Sequence, residues 1–318
     1  MLSAGLFQFA VNNKAGGNSM ENTKQIDQIM DKIDEGVKKV YQSENYQNYL
    51  KSMAKFHQYS LNNCLLIWMQ KPDATMVQGY NAWKTKFNRT VKRGEKGIRI
   101  IIPIRRKQMY PVIIDNELVI DKEPVITGYK SASVFDISQT AGDDLPFYMH
   151  DILPGMVKDY DMFQEALLLV SPVPVVFEDI PSGAHGYYQP KEEQIVIQKD
   201  MSEVQTIKTM LHEIAHSLLH GPDKPQSQAD ASKREIQAES AAYAICSYYG
   251  IDTSEYSFPY IAGWQKEMNE EELKASLLAI RNTCVYIINT IDRVRNPMLA
   301  DHSSTLSPYA SHNRFTTK

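Results

Sequence analysis

Apolar positions recur every three to four residues over 24–41 and again over 47–70, which predicts two helical stretches. Lys71-Pro72 breaks the second one. The turn Gly94-Glu95-Lys96-Gly97 leads into a continuous apolar run, 98–104, that reads as a buried strand. Two more strands are predicted at 110–114 and 125–135, separated by a turn at Asp115-Asn116-Glu117. Residues 138–153, which hold AGDDLP, carry no periodicity and read as a linker. After it come a helix to about Leu169, a strand at 173–177, a helix around Leu211 and a helix over 232–249. A segment bearing Trp264 precedes a long amphipathic helix, 270–295, which Asn296-Pro297 ends. This order predicts an α+β fold in two domains. The first, 21–137, combines helices with a small sheet, and the second covers 154–296. Residues 1–20 are expected to be a disordered leader and 297–318 a flexible tail. No internal repeat is visible.

The chemistry concentrates at LHEIAH, Leu211 to His216. His212 and His216 are four residues apart, so one helical face presents both imidazoles to a shared zinc ion. Glu213 between them is the candidate general base. Met210, Leu211, Ile214, Ala215, Leu218 and Leu219 make the surrounding helix apolar, and Gly221-Pro222 stops it. A catalytic zinc takes a third protein ligand and keeps a position open. The following helix offers Glu235 and Glu239, again four apart. Glu235 is the favoured ligand, with Glu239 accepting an N–H from a liganding histidine. The reverse assignment stays open.

HExxH followed by a glutamate in an alanine-rich ExxAE helix resembles the gluzincin-type metallopeptidases of the ImmA/IrrE kind. AHGYYQPKEEQIVI, just before the motif, is also similar to that family. The resemblance implies a short hairpin beside the zinc helix, with arms at 186–189 and 194–198. Its exposed edge would take an extended peptide by strand addition. It also implies a zinc metalloendopeptidase, in which a donor must stabilise the oxyanion. Tyr187, Tyr188 and Tyr243 are candidates by type, as are His185 and His220.

Bulk properties narrow the partners little. The formal charge is −4 and the pI about 6.1, which give no global attraction to nucleic acid or to a membrane surface. No apolar run is long enough to span a bilayer, so no membrane partner is expected. Three scattered cysteines, Cys64, Cys246 and Cys284, fit neither a disulfide framework nor a zinc–thiolate site and agree with a cytoplasmic location.

The modest total hides a local excess. Between Lys84 and Lys107 ten basic residues face one acid, Glu95, for a segment charge of +9 that leaves −13 on the rest. Tyr59, Tyr80, Trp83 and Phe87 lie beside it. Basic groups can follow a phosphate backbone while aromatic faces stack unpaired bases. Trp83 and Phe87 fit a core position as well. Residues 56–104 resemble the N-terminal single-stranded-DNA-binding domain of ArdC-type antirestriction proteins. The similarity rests on YSxxN (Tyr59, Ser60, Asn63), GYxxW (Gly79, Tyr80, Trp83) and RxVxxGEKG (Arg89, Val91, Gly94, Glu95, Gly97). In that family the domain precedes a metallopeptidase-like domain, as it does here. The resemblance implies single-stranded DNA as a partner. Tyr59, Asn63, Tyr80, Trp83, Lys84, Lys86, Arg89, Lys92, Arg93, Lys96 and Arg99 are then the candidate contacts.

Three function classes follow. One is a mobile-element antirestriction protein that binds single-stranded DNA and carries a zinc peptidase with an unknown protein substrate. Another is a DNA-coating protein whose zinc is structural. The third is an ImmA-like regulatory peptidase that cleaves a repressor.

Overall fold

The computed structural model describes residues 18–114, 117–145, 160–224, 231–256, 258 and 268–295. Residues 1–17 of the expected leader, most of the linker, the Trp264 segment and the tail from 297 lie outside the described residues.

The N-terminal domain opens with α1 (Asn18–Val40), which begins inside the expected leader. Ile29, Ile33, Val37 and Val40 form its buried stripe. The expected single run over 47–70 is two helices, α2 (Ser43–Lys55) and α3 (Leu61–Gln70). Ser60 causes the break: its side chain accepts the Asn63 N–H and starts α3 afresh. Next come β1 (Val77–Gly79), α4 (Tyr80–Phe87) and β2 (Arg89–Val91).

The three strands expected after Gly97 merge into one long hairpin, β3 (Ile98–Ile114) and β4 (Glu117–Asp136). It runs in register from Ile98 opposite Val134 to Ile114 opposite Glu117, with a shift between Ile104 and Arg105. The polar stretch Arg105-Arg106-Lys107 that interrupts the apolar pattern is exposed, so it stays in the ladder without burying charge. The sheet order is β1-β4-β3.

The linker expected from 138 starts too early. Ile137–Gln139 is a 3-10 turn, and β5 (Thr140–Gly142) pairs antiparallel with β2. Gly142 makes this possible. Its φ is 145°, and a Cβ there would lie 2.4 Å from the Asn88 carbonyl oxygen.

The second domain holds α5 (Tyr160–Val170), β6 (Val175–Glu178), β7 (Gly186–Gln189), β8 (Gln194–Gln198), α6 (Glu203–His220), α7 (Ala231–Tyr248) and a long helix, α8 (Glu270–Arg295). Its sheet order is β6-β8-β7, which leaves β7 at the edge.

The two domains share one buried core. The Tyr46 hydroxyl on α2 lies 2.7 Å from Ser240 Oγ on α7, and the Tyr41 hydroxyl donates to the Leu273 carbonyl at 3.1 Å. Buried Arg281 on α8 donates to the Tyr59 carbonyl at 2.8 Å and to the His57 carbonyl at 2.9 Å. Those carbonyls belong to the loop between α2 and α3, so a C-terminal helix holds an N-terminal turn in place. Cys64, Cys246 and Cys284 are buried free thiols. Among the described residues, no helix is long and apolar enough to cross a membrane.

Candidate metal centre

Ser202 caps α6 by accepting the Gln205 N–H, and Met210, Leu211, Ile214 and Ala215 seat the helix in the core. The helix lies close against β7. A Cβ on Gly186 would come within 2.6 Å of Thr209 Cγ2, so the bare glycine lets the edge strand approach the HExxH helix.

His212 and His216 on α6 meet Glu235 on α7, and one donor atom from each lies within 4.8 Å of the others. The two Nε2 atoms are 3.0 Å apart. A Glu235 carboxylate oxygen stands 3.4 Å from His212 Nε2, and the other stands 3.4 Å from His216 Nε2. A tetrahedral zinc with bonds of ~2.0–2.1 Å needs donors ~3.3 Å apart. The donor set therefore fits a small divalent ion. Glu235 is 63% exposed, which leaves the cluster open on that side.

The outer nitrogens are held as well. His212 Nδ1 lies 3.1 Å from Glu239 Oε2. His216 Nδ1 lies 3.1 Å from His220 Nδ1, and His220 Nε2 lies 2.9 Å from Gln237 Oε1. The Gln237 amide then donates to Ser276 Oγ on α8 at 3.0 Å. Of the two glutamates, Glu235 stands among the inner nitrogens and Glu239 behind His212. His220 and Gln237 were missed as a chain behind His216. The signal for His220 is its place four residues after His216.

Electrostatics follow from this packing. Burial disfavours charge on His212, yet the Glu235 and Glu239 carboxylates overcome it and raise its pKa to about 10. Hydrogen bonds from His212 and His216 hold Glu235 well below the usual carboxylate range. Burial pushes the Glu213 carboxyl up, and the two histidines and the Tyr188 backbone N–H pull it back. Burial drives His220 down to about 4, so it is neutral.

Two clefts flank the cluster and share Gly186, His212 and Glu213. One includes His185, Lys208, Glu239 and Glu255. The other includes Tyr187, Tyr188, His216, His220, Arg234 and Glu235. Tyr187 and Tyr188 are therefore at hand for an oxyanion. Tyr243 is not: it is buried, packed edge-on against Tyr256 and Phe258.

The candidate DNA contacts divide by burial. Asn63 is buried, and its amide bridges the Ile101 backbone by donating to the carbonyl and accepting the N–H, both at 2.9 Å. Tyr59 is buried and donates to the Val77 carbonyl. Trp83 is fully buried and donates to the Phe135 carbonyl at 2.8 Å. These three brace the sheet and are removed as nucleic-acid contacts, because none reaches the surface. Arg89 is spent on β5, donating to Thr140 Oγ1 and to the Gly142 and Asp143 carbonyls, and Lys92 donates to the Ser138 carbonyl. Lys84, Lys86, Arg93, Lys96 and Arg99 are exposed.

Register assigns Arg99, Ser131, Ser133 and Tyr129 to one face of the hairpin and the buried Ile98, Ile100 and Val134 to the other. On the open face Tyr129 is 52% exposed, and Tyr80, 53% exposed, meets half-buried Phe135 edge-on. Tyr129 was not among the sequence candidates. Its alternation with buried Val134 is the signal that finds it.

Comparison with known proteins bears on both halves. The profile of the N-terminal domain of anti-restriction factor ArdC matches residues 20–135, and that of the IrrE N-terminal-like domain matches residues 170–257. The uncharacterized protein pXO2-81 of Bacillus anthracis is 31% identical over 314 residues, covering 86% of this chain. The chain spans about half, 52%, of that relative's length. The crystal structure of antirestriction protein ArdC from plasmid R388, metal-free, is similar with a TM-score of 0.46 and 17% identity. It covers 76% of this chain and 92% of its own. The Mn(II)-bound structure of the same protein gives 0.44 and 16%, with 76% and 91% coverage.

Proposed function

The chain joins an N-terminal domain of the anti-restriction factor ArdC type to an IrrE N-terminal-like domain, and on that premise we propose a metal-dependent peptidase carried on a single-stranded-DNA-binding module. The reading is an antirestriction protein of a mobile element, working in the cytoplasm on a protein near incoming DNA. One observation carries it: His212, His216 and Glu235 converge while Glu213 stands beside them outside the donor set. A closed structural site has no use for that fourth group.

His212 and His216 would hold the ion through Nε2 and Glu235 through a carboxylate oxygen. Zinc suits a set of two imidazoles and one carboxylate. When bound, it would polarise a carbonyl and acidify a water. Glu213 takes the proton from the attacking water and hands it to the leaving amine. Burial raises its basicity, and the Tyr188 backbone N–H fixes its direction. The Tyr188 or Tyr187 hydroxyl lines the same cleft and supplies the oxyanion donor. The edge of β7 aligns an extended peptide across the centre.

In the N-terminal domain, the open sheet face supports the DNA reading. Tyr80 and Tyr129 offer stacking surfaces, and Lys96 and Arg99 meet phosphates.

Glu213→Gln tests the peptidase. The variant is expected to keep its metal by elemental analysis and to lose hydrolysis of a mixed peptide pool. Equal hydrolysis by variant and wild type sinks the mechanism. Full DNA protection by the inactive variant would assign protection to DNA coating.

A further inference from the structure

The two clefts that meet at the metal cluster differ in their charged groups. In one, Lys208 and Glu255 pair with each other at 3.0 Å and Glu239 backs His212. In the other stands Arg234, one residue before Glu235 at the start of α7. Arg234 is half-buried and lines this cleft together with His216, His220 and Glu235. Among the described residues it makes no ion pair or hydrogen bond. The helix cations Lys208 and Lys274 both pair with carboxylates.

A guanidinium keeps its charge at any working pH and offers five donors in a rigid fork. Holding one half-buried without a partner is unfavourable, and a carboxylate that accepts two of its N–H groups removes that cost. His220 cannot serve, because both its ring nitrogens are already engaged, one with His216 and the other with Gln237. Glu235 next door is turned toward the two histidines. Among the described residues no carboxylate is left for Arg234, and a substrate carboxylate would supply one.

We propose that Arg234 binds a carboxylate of the peptide substrate beside the scissile bond. This rests on the peptidase reading and adds a specificity to it. The carboxylate is either an acidic side chain or the peptide's own C-terminus, both with the same chemistry.

The test separates binding from turnover by using zinc-loaded full-length Glu213→Gln protein. Three probes are titrated calorimetrically: acetyl-trialanine with a free C-terminus, its C-terminal amide, and acetyl-Ala-Asp-Ala amide. At least one carboxylate probe is expected to bind about tenfold or more tighter than the neutral amide, as a charged hydrogen-bonded pair should. Which one does identifies the carboxylate's source. Adding Arg234→Met should remove the preference, and Arg234→Lys should restore part of it, with zinc content unchanged in both. The proposal is overturned if neither carboxylate probe outbinds the amide, including if none binds. It is overturned equally if the preference survives Arg234→Met, which would mean that the ion alone recognises the carboxylate. A hydrolytically dead wild type with an intact Arg234-dependent preference would instead count against the peptidase reading alone.

Discussion

The Nδ1 atoms of His216 and His220 face each other at 3.1 Å, and one proton must lie between them. His220 is neutral, and its Nε2 lies against the Gln237 carbonyl oxygen, so its proton sits on Nε2. His220 Nδ1 is then an acceptor and His216 donates from Nδ1, so an ion held at His216 Nε2 would take the place of the proton that faces Glu235 there. Hydrogen bonds of this kind behind a metal ligand contribute about 10–100-fold to affinity. His220→Phe and Gln237→Leu should each weaken metal binding by that order in a chelator competition. Wild-type affinity in both variants would rule out an orienting role for the chain.

The two glutamates of α7 should separate cleanly. Glu235→Ala is expected to abolish tight metal binding, and Glu239→Gln to weaken it about tenfold, because only the support behind His212 is lost. Chelator competition on the two purified variants decides it. The opposite order would exchange ligand and support.

Charge and stacking on the open sheet face are testable apart from the core. Lys96→Glu with Arg99→Glu should weaken single-stranded DNA binding, and each lost phosphate contact should lower the salt slope by about 0.7. Tyr129→Ala should cost about 1–3 kcal/mol of binding if a base stacks there. Trp83→Ala should instead cost about 3–5 kcal/mol of folding stability, because the indole is in the core. Fluorescence anisotropy and thermal melts distinguish the outcomes. DNA binding indifferent to salt in the wild type would refute the face as a phosphate-binding surface.

Stability should fall in mild acid because of His57. Burial, reinforced by the nearby Arg281 charge, lowers its pKa from 6.5 to about 4. A folded-state pKa below the unfolded one favours the native state above pH 6.5, and that contribution is lost as pH drops toward 4. The full loss is about 3 kcal/mol. The ring donates from Nδ1 to the Ala54 carbonyl and accepts from the Gln58 amide at Nε2, and the Ala54 carbonyl and the Asn289 side chain offset only part of the burial. Urea titrations at pH 7 and pH 4.5 should show a smaller drop for His57→Gln than for wild type. Parallel drops would refute it.

Sequence reading reached some parts of the molecule and stopped at others for physical reasons. The closeness of His212 and His216 is legible because helical geometry alone imposes it. Glu235 is legible because a return helix of the right length follows. The DNA contacts are less so. Tyr59, Asn63 and Trp83 are conspicuous residue types, but their polar atoms are used on Val77, Ile101 and Phe135 carbonyls, and composition does not reveal which way a side chain turns. The early linker has a similar origin. AGDDLP reads as loop, yet its first residues, Ala141 and Gly142, belong to β5, which a glycine at positive φ and Arg89 on the partner strand hold against β2. The break at Ser60 was hidden because apolar periodicity continues across it.

Arg281 joins regions that are more than two hundred positions apart in the chain. With Tyr46 on Ser240 and Tyr41 on Leu273, it makes α1–α3 part of the same cooperative structure as α7 and α8. A chimera that exchanged the halves of two relatives near residue 150 would set every one of these contacts against a foreign half. The unit that can be inherited or transplanted intact therefore extends from the first helix to the last, and variation between relatives should be correlated across the α2–α7 and loop–α8 seams.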